Sequence, residues 1–197
     1  MLDHIRFNPD TTDFTPIFHQ IEDAHPDVII TGISHVGVQP TVQWHDQQVP
    51  IPMIGQSSQA TTSAFWKDTN GAAEGIITAT AATPDVALSP VTIPFAQAYI
   101  KKHGVTPAYF GYSAFDMVHV IAENKLVTAL EATDHVGTMG RIQFYGRDNQ
   151  FTHAMKYGPN LVTMVAIQWQ NGKQVCVWPA DKCKNKITFP SFVKTLN

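Results

Sequence analysis

Three short apolar runs, each bordered by glycine and separated from the next by a helix-like or loop-like stretch, constrain the fold of this chain most. They are Asp27-Val28-Ile29-Ile30-Thr31-Gly32, Pro50-Ile51-Pro52-Met53-Ile54-Gly55 and Gly75-Ile76-Ile77-Thr78-Ala79-Thr80. Apolar runs of this length without polar alternation have the pattern of strands covered on both faces, as in a parallel sheet. The residues from Asp13 to Glu22 read as a helix: Asp13 can cap it, Pro16 sits in the first turn, and Phe14, Ile17, Phe18 and Ile21 form one face. Val38 to His45 suggests a second helix, and Ala60 to Asn70 a helix or loop. The alternation predicts an α/β unit with a parallel sheet and flanking helices.

From Val91 the character changes. Phe95, Ala98, Tyr99 and Ile100 predict a helix that ends at His103-Gly104, where Gly104 suits a left-handed C-cap. Tyr109 to Glu123 predicts a long helix carrying Phe110, Ala114, Met117, Val118 and Ile121, and Lys125 to Thr133 continues with Leu126, Ala129 and Leu130 at helical spacing. The remainder is strand-like: Gly140 to Phe144, Asn160 to Gln170, and Lys173 to Trp178. Asn171-Gly172 is a strong hairpin signal, so Val162–Trp169 and Gln174–Trp178 are expected to pair antiparallel.

Composition narrows the function classes. The 197 residues carry 13 Lys and Arg against 16 Asp and Glu, a formal charge of −3. No basic stripe exists to neutralise phosphates, which argues against a nucleic-acid partner. The longest apolar runs, Val28-Ile29-Ile30 and Met164-Val165-Ala166-Ile167, are far too short to span a bilayer, so no direct membrane insertion is expected. Only 15% of residues are charged, below the roughly 25% usual for soluble domains, and uncharged polar residues take their place, as suits an exported protein. Met1 to Arg6 shows no basic segment followed by an apolar one, so no signal peptide is visible. The two cysteines, Cys176 and Cys183, flank Pro179 and Asp181. A turn there could bring the sulfurs within disulfide reach, with two free thiols in a surface loop as the alternative. A disulfide would indicate an oxidising compartment.

Residue patterns for catalysis are missing. The nine histidines include no HxxxH or HExxH spacing, and the cysteine pair has no second pair to complete a zinc site, so no metal is expected. Gly32-Ile33-Ser34-His35-Val36-Gly37 and Gly111-Tyr112-Ser113-Ala114-Phe115 both miss the second glycine of a nucleophile elbow. Ser34 beside His35 is not a nucleophile–base pair, because such pairs are ordinarily distant in sequence. No glycine-rich phosphate loop is present, and no cofactor is implied.

The order of several short strings carries a resemblance. They are Thr11-Thr12-Asp13-Phe14-Thr15-Pro16, Pro26-Asp27-Val28-Ile29, Gly71-Ala72-Ala73-Glu74-Gly75-Ile76, and Phe95-Ala96-Gln97-Ala98-Tyr99 with His103-Gly104. Tyr112-Ser113-Ala114-Phe115-Asp116, Gly137 to Phe144, and Gln168 to Lys173 with Val177-Trp178-Pro179 follow. In this order they resemble the carboxy-terminal half of a type I periplasmic solute-binding protein of the branched-chain amino-acid (Leu/Ile/Val) ABC-transporter family. The resemblance implies a two-lobed α/β fold of Rossmann-like parallel sheets with flanking helices, here lacking most of the first lobe. It implies that 1–80 is an α/β segment of the second lobe, that 81–140 crosses over and packs helices on the first lobe, and that 141–197 returns to the second lobe. Without the first lobe's sheet, helices from Phe95 to Leu130 would leave apolar faces in water, at about 25 cal/mol per Å². The chain is therefore expected to be part of a longer protein. The junction Ala122-Glu123-Asn124-Lys125-Leu126 supports this, since the family usually carries a longer polar loop there.

The family's ligand contacts come from loops at the carboxyl ends of strands, the position where open α/β sheets generally bind ligands. By resemblance, Ser34 and His35 after the first strand, and Gln56, Ser57 and Ser58 after the second, are the ligand-binding candidates, with Tyr112 as an aromatic wall. Amino-acid binders of the family often carry an acidic residue in the second loop to hold the ligand's ammonium group. Here the loop reads Gln56-Ser57-Ser58-Gln59. An ammonium without a counter-charge is costly in a closed cleft, which favours an amine-free aromatic or keto carboxylate over an amino acid. The resemblance implies a periplasmic, non-enzymatic protein that hands its ligand to the membrane subunits of an ABC permease by hinge closure. Alternatives are a sensor lobe for amides or urea without transport, and a hydrolase using Ser34 or Ser57.

Overall fold

The computed structural model describes residues 4–123 and 130–194. Of the predicted continuation from Lys125 to Thr133, residues 125–129 lie outside the described residues and Leu130 and Glu131 are helical; the junction residues Asn124, Lys125 and Leu126 also lie outside them. The chain divides into two compact units. Unit 1 comprises residues 1–79, 166–177 and 185–197, and unit 2 comprises 80–165 and 178–184.

Unit 1 is built on a five-stranded sheet in the order β1-β2-β3-β6-β7, made of β1 (Ile29–Ile33), β2 (Met53–Ser57), β3 (Ile77–Thr80), β6 (Val165–Gln170) and β7 (Lys173–Trp178). β1, β2 and β3 are parallel, with Ile29 opposite Met53 and Ile54 opposite Ile77. The three apolar runs are these strands. Gly32 lies inside β1 rather than closing it, because the pairing continues to Ile33 opposite Ser57. β6 and β7 are joined by Asn171-Gly172, whose φ values of 51° and 76° are those a two-residue hairpin turn of antiparallel strands requires. The predicted strand from Asn160 is shorter than expected: β6 starts at Val165, after a chain that turns at Asn160 with positive φ.

Helices α1 (Thr15–Asp23), α2 (Val38–Asp46) and α3 (Phe65–Asp68) flank the sheet, with a 3₁₀ turn at Gln59–Thr61. Asp13 does not occupy the N-cap of α1, which is Phe14. Its carboxylate instead accepts the Thr15 N–H at 3.0 Å. The Ala60–Asn70 stretch resolves into the 3₁₀ turn and α3, because Thr61 and Thr62 spend their hydroxyls on the carbonyls of Ser58 and Gln59. The core gathers Phe14, Phe18, Trp44, Val49, Phe65, Ile76 and Trp169. Trp44 donates its indole N–H to the Ile51 carbonyl at 2.9 Å, and its ring meets Phe192 edge-on at 5.1 Å. Buried Gln168 donates to the carbonyls of Gly75 and Thr188 and accepts from the Thr188 N–H, so it fastens the C-terminal segment to the sheet.

Unit 2 holds α4 (Thr92–His103), α5 (Tyr109–Glu123) and a hairpin of β4 (Asp134–Gly137) with β5 (Gly140–Gln143). Gly104 caps α4 in the left-handed conformation, φ 73°, as expected. β4 was not expected, since Asp134-His135-Val136-Gly137 carries a single large apolar residue. It is fixed by its register against β5 and by a bidentate pair between Arg141 and Asp134. The hydrogen bonds from Arg141, then Gln143, bring the Asp134 carboxyl down to about 2. Because the folded value lies below the ordinary one, this pair supports the fold above the ordinary carboxyl range and loses that support as pH falls through about 2. The core of the unit is Ala82, Ala96, Tyr112, Val120, Met139, Ile142 and Val162. The outer face of α5 is apolar and open: Phe110 and Val118 are each 64% exposed, and Met117 and Ile121 are exposed with them.

Both cysteines are disulfide-bonded, which settles the choice between a disulfide and free thiols. The bond closes only a short loop, so the double substitution Cys176→Ser with Cys183→Ser is expected to lower unfolding stability by about 2–3 kcal/mol. Urea denaturation of the oxidised protein and of this double variant checks this; an unchanged midpoint would contradict it.

Candidate ligand-binding site

The carboxyl ends of β1 and β2 place two loops side by side in unit 1. The first runs through Ser34 and His35 into α2; the second leaves β2 at Ser57 and enters the 3₁₀ turn through Ser58. Ser34 and His35 are exposed, with the Ser34 hydroxyl 3.4 Å from His35 Nδ1. Gln56 is exposed on β2. Ser57 is buried, and its hydroxyl accepts the Ala60 N–H at 3.3 Å while its own N–H donates to the Thr78 hydroxyl at 3.0 Å. Ser58 is half-buried, and its carbonyl accepts from both the amide and the hydroxyl of Thr61. The exposed donors are Ser34 and His35 in the first loop and Gln56 on β2, while Ser57 is engaged in holding the turn; of the six expected ligand residues, His35 alone lines the cavity at this end.

A cavity of about 340 Å³ opens at this end of unit 1. His35 lines it from the first loop and Gln59 from the second, joined by Asp10, Thr11 and Thr12 from the segment before α1 and by Gln39 from the first turn of α2. Gln59 also accepts the Val38 N–H at 3.1 Å through Oε1, so it ties the second loop to the start of α2. Asp10, Thr11, Thr12, Gln39 and Gln59 were not among the expected ligand residues. Gln59 ends the second loop, whereas Asp10 lies far from both loops in sequence, on the segment that Gln43 of α2 holds by donating to the Thr12 carbonyl and accepting the Phe14 N–H. Asp10 adds a carboxylate that the second loop lacks.

Tyr112 lies in unit 2, fully buried on the inward face of α5, with its ring edge-on to Phe95 at 5.3 Å. Its hydroxyl has no hydrogen-bond partner among the described residues. Burial, and secondarily the charge of Asp85, raises its pKa well above the ordinary phenol value. Among the described residues, no three His, Cys, Asp or Glu side chains gather as a metal site, and no helix is long and apolar enough to cross a membrane.

The sequence profile of the periplasmic binding protein family matches residues 1–158. The chain belongs to this family. None of the curated proteins matches it. Solved structures share its fold: an ABC transporter substrate-binding protein from Sphaerobacter thermophilus has 22% identity and a TM-score of 0.69, over 95% of this chain and 52% of that one. A solute binding protein of an ABC transporter from R. palustris, in complex with benzoate, has 14% identity and a TM-score of 0.70, over 95% and 51%. The branched-chain amino acid transporter substrate binding protein LivJ from Streptococcus pneumoniae, in complex with isoleucine, has 19% identity and a TM-score of 0.69, over 88% and 51%. The chain spans about half the length of each of these solved chains. The fold is that of a type I periplasmic binding protein, represented here in part, and its family is one of solute-binding, exported proteins.

Proposed function

We propose that this chain is the ligand-capturing part of an ABC importer's substrate-binding protein, and that the strand-end loops of unit 1 receive the carboxylate of a small ligand. The observation that carries the reading is the shared cavity, which brings His35 and Gln59 together from the two loops that follow parallel strands. Ser34, His35 and Gln56 offer exposed hydrogen-bonding side chains without a fixed negative charge, the equipment a carboxylate needs. Benzoate and isoleucine, the ligands of two relatives in this fold, both carry such a group. Transfer to the permease follows capture in the periplasm and needs no chemistry at the ligand.

Within that class the second loop favours an amine-free aromatic or keto acid, because Gln56-Ser57-Ser58-Gln59 supplies no counter-charge for an ammonium group. A second reading, capture of an α-amino acid, is favoured by one observation: Asp10 lines the same cavity as His35. A thermal-shift panel separates them. It pairs benzoate, cinnamate and 2-oxoisocaproate with leucine and phenylalanine, and adds urea and acetamide. A ligand at 100 times its Kd adds about 2.7 kcal/mol, a shift of several degrees. Shifts with the amine-free acids alone, lost in His35→Ala, are the expected result. A shift with leucine that vanishes in Asp10→Asn supports the amino-acid reading instead. A response to urea or acetamide only overturns carboxylate capture.

A further inference from the structure

Unit 2 holds a separate cavity of about 200 Å³ whose lining is unusual in one respect: it includes four of the chain's six methionines. Met117 comes from α5, Met139 from the turn between β4 and β5, Met155 from the segment bridged to Phe144, and Met164 from the approach to β6. Four separate stretches of chain thus bring methionines to one void, and no periodicity in the sequence announces it. The lining contains no Lys, Arg, His or Cys. Its one carboxylate, Asp116, is committed: its two oxygens accept the N–H groups of Thr138 and Met139 at 2.7 and 3.1 Å. Hard cations, which seek carboxylate or carbonyl oxygen, find no free ligand set there.

We propose that this cavity binds a soft monovalent cation, copper(I) or silver(I), through the thioether sulfurs of Met117, Met139, Met155 and Met164. Neutral, polarisable sulfur selects copper(I) over the harder divalent ions, and unbranched methionine side chains adapt to bring their sulfurs together. The Ser113 hydroxyl lies 3.5 Å from Met139 Sδ but donates its proton to the Tyr109 carbonyl at 3.1 Å, so it does not compete for that sulfur. Met117 and Met164 are exposed, so the lining reaches the surface of this chain. Both cysteines are oxidised in the disulfide, so no thiol competes for the metal. Binding changes no oxidation state, and the site stands apart from the carboxylate reading of unit 1.

The test is an NMR titration of the full chain, labelled with ¹³C at the methionine methyls, with silver(I) and, anaerobically, with copper(I). The expected result is that the methyl signals of Met117, Met139, Met155 and Met164 move together and saturate near one equivalent, while Met53 stays in place. Replacing Met139 and Met155 with leucine preserves volume and apolarity, and is expected to weaken copper(I) affinity at least tenfold in a chelator competition while leaving Tm within a few degrees. Methyl signals that do not move, a uniform drift that includes Met53, or copper(I) affinity unchanged in the leucine variant would each overturn the proposal. A benzene-sized apolar probe that moves the same methyls when neither cation does would show an apolar pocket and overturn it as well.

Discussion

Replacing Asp116 with alanine is expected to lower unfolding stability by about 3–4 kcal/mol, one of the two largest single-residue effects in the molecule. Asp116 is 1% exposed and receives two backbone N–H groups from the turn at Thr138 and Met139. Removing the carboxylate leaves both donors buried without an acceptor, and each such group costs about 1–3 kcal/mol. Gly137 shows how closely the turn approaches: a Cβ there would lie 2.5 Å from an Asp116 oxygen. The same turn is held from α4, where the Thr92 hydroxyl donates to the Thr138 carbonyl at 2.6 Å. Asp116→Asn retains one acceptor but sets an amide NH₂ against a backbone N–H, so about half of the loss is expected. Gly137→Ala should destabilise as well, because the methyl displaces the carboxylate from its two donors. Urea midpoints for the three variants check the order; an Asp116→Ala midpoint close to the parent's would contradict the account of this turn.

The second large effect is expected at Trp169, where truncation to alanine should remove about 3–5 kcal/mol from unit 1. The ring is 3% exposed, stacks on Trp66 at 5.9 Å and tilts against Phe65 at 6.3 Å, so its loss opens a cavity beneath the sheet. Its indole N–H donates to the Ala60 carbonyl at 2.9 Å, but Gln174 Nε2 donates to that carbonyl at the same distance. Trp169→Phe therefore leaves the carbonyl paired and is expected to cost much less than Trp169→Ala, about 1–2 kcal/mol, from lost volume rather than a lost acceptor. Equal losses for the two substitutions would mean that the indole hydrogen bond, not packing, carries the residue's contribution. Urea denaturation followed by far-UV circular dichroism, with Trp66 retained, checks both variants.

The parts of this fold legible in the sequence are those fixed by local pattern. The three apolar runs became β1, β2 and β3, but cover on both faces was expected and β1 departs from it, with Ile29 half-buried and Ile30 75% exposed on alternate faces. Asn171-Gly172 and Gly104 were readable because few residues adopt positive φ at low cost. The open stripe of Phe110, Met117, Val118 and Ile121 on α5 was expected from the family resemblance, which packs this helix on a first lobe most of which this sequence lacks. What the sequence hid depends on tertiary neighbours. β4 is a strand only because Arg141 and the β5 register hold it. Ser57 reads as a free hydroxyl until the 3₁₀ turn folds over it. Asp10 joins the cavity of His35 from a segment distant in sequence, and the four methionines of unit 2 line one cavity from positions with no common spacing.

The central claim is that the strand-end loops of unit 1 capture a small carboxylate, and amide-resolved NMR of the ¹⁵N-labelled protein tests it most directly. Titration with benzoate or 2-oxoisocaproate is predicted to shift amides at 34–39, 56–59 and 10–12 along one saturable curve, and the shifts are predicted to vanish in His35→Ala. Saturable shifts confined to other residues, or none with any carboxylate while the spectrum remains that of a folded protein, would contradict it.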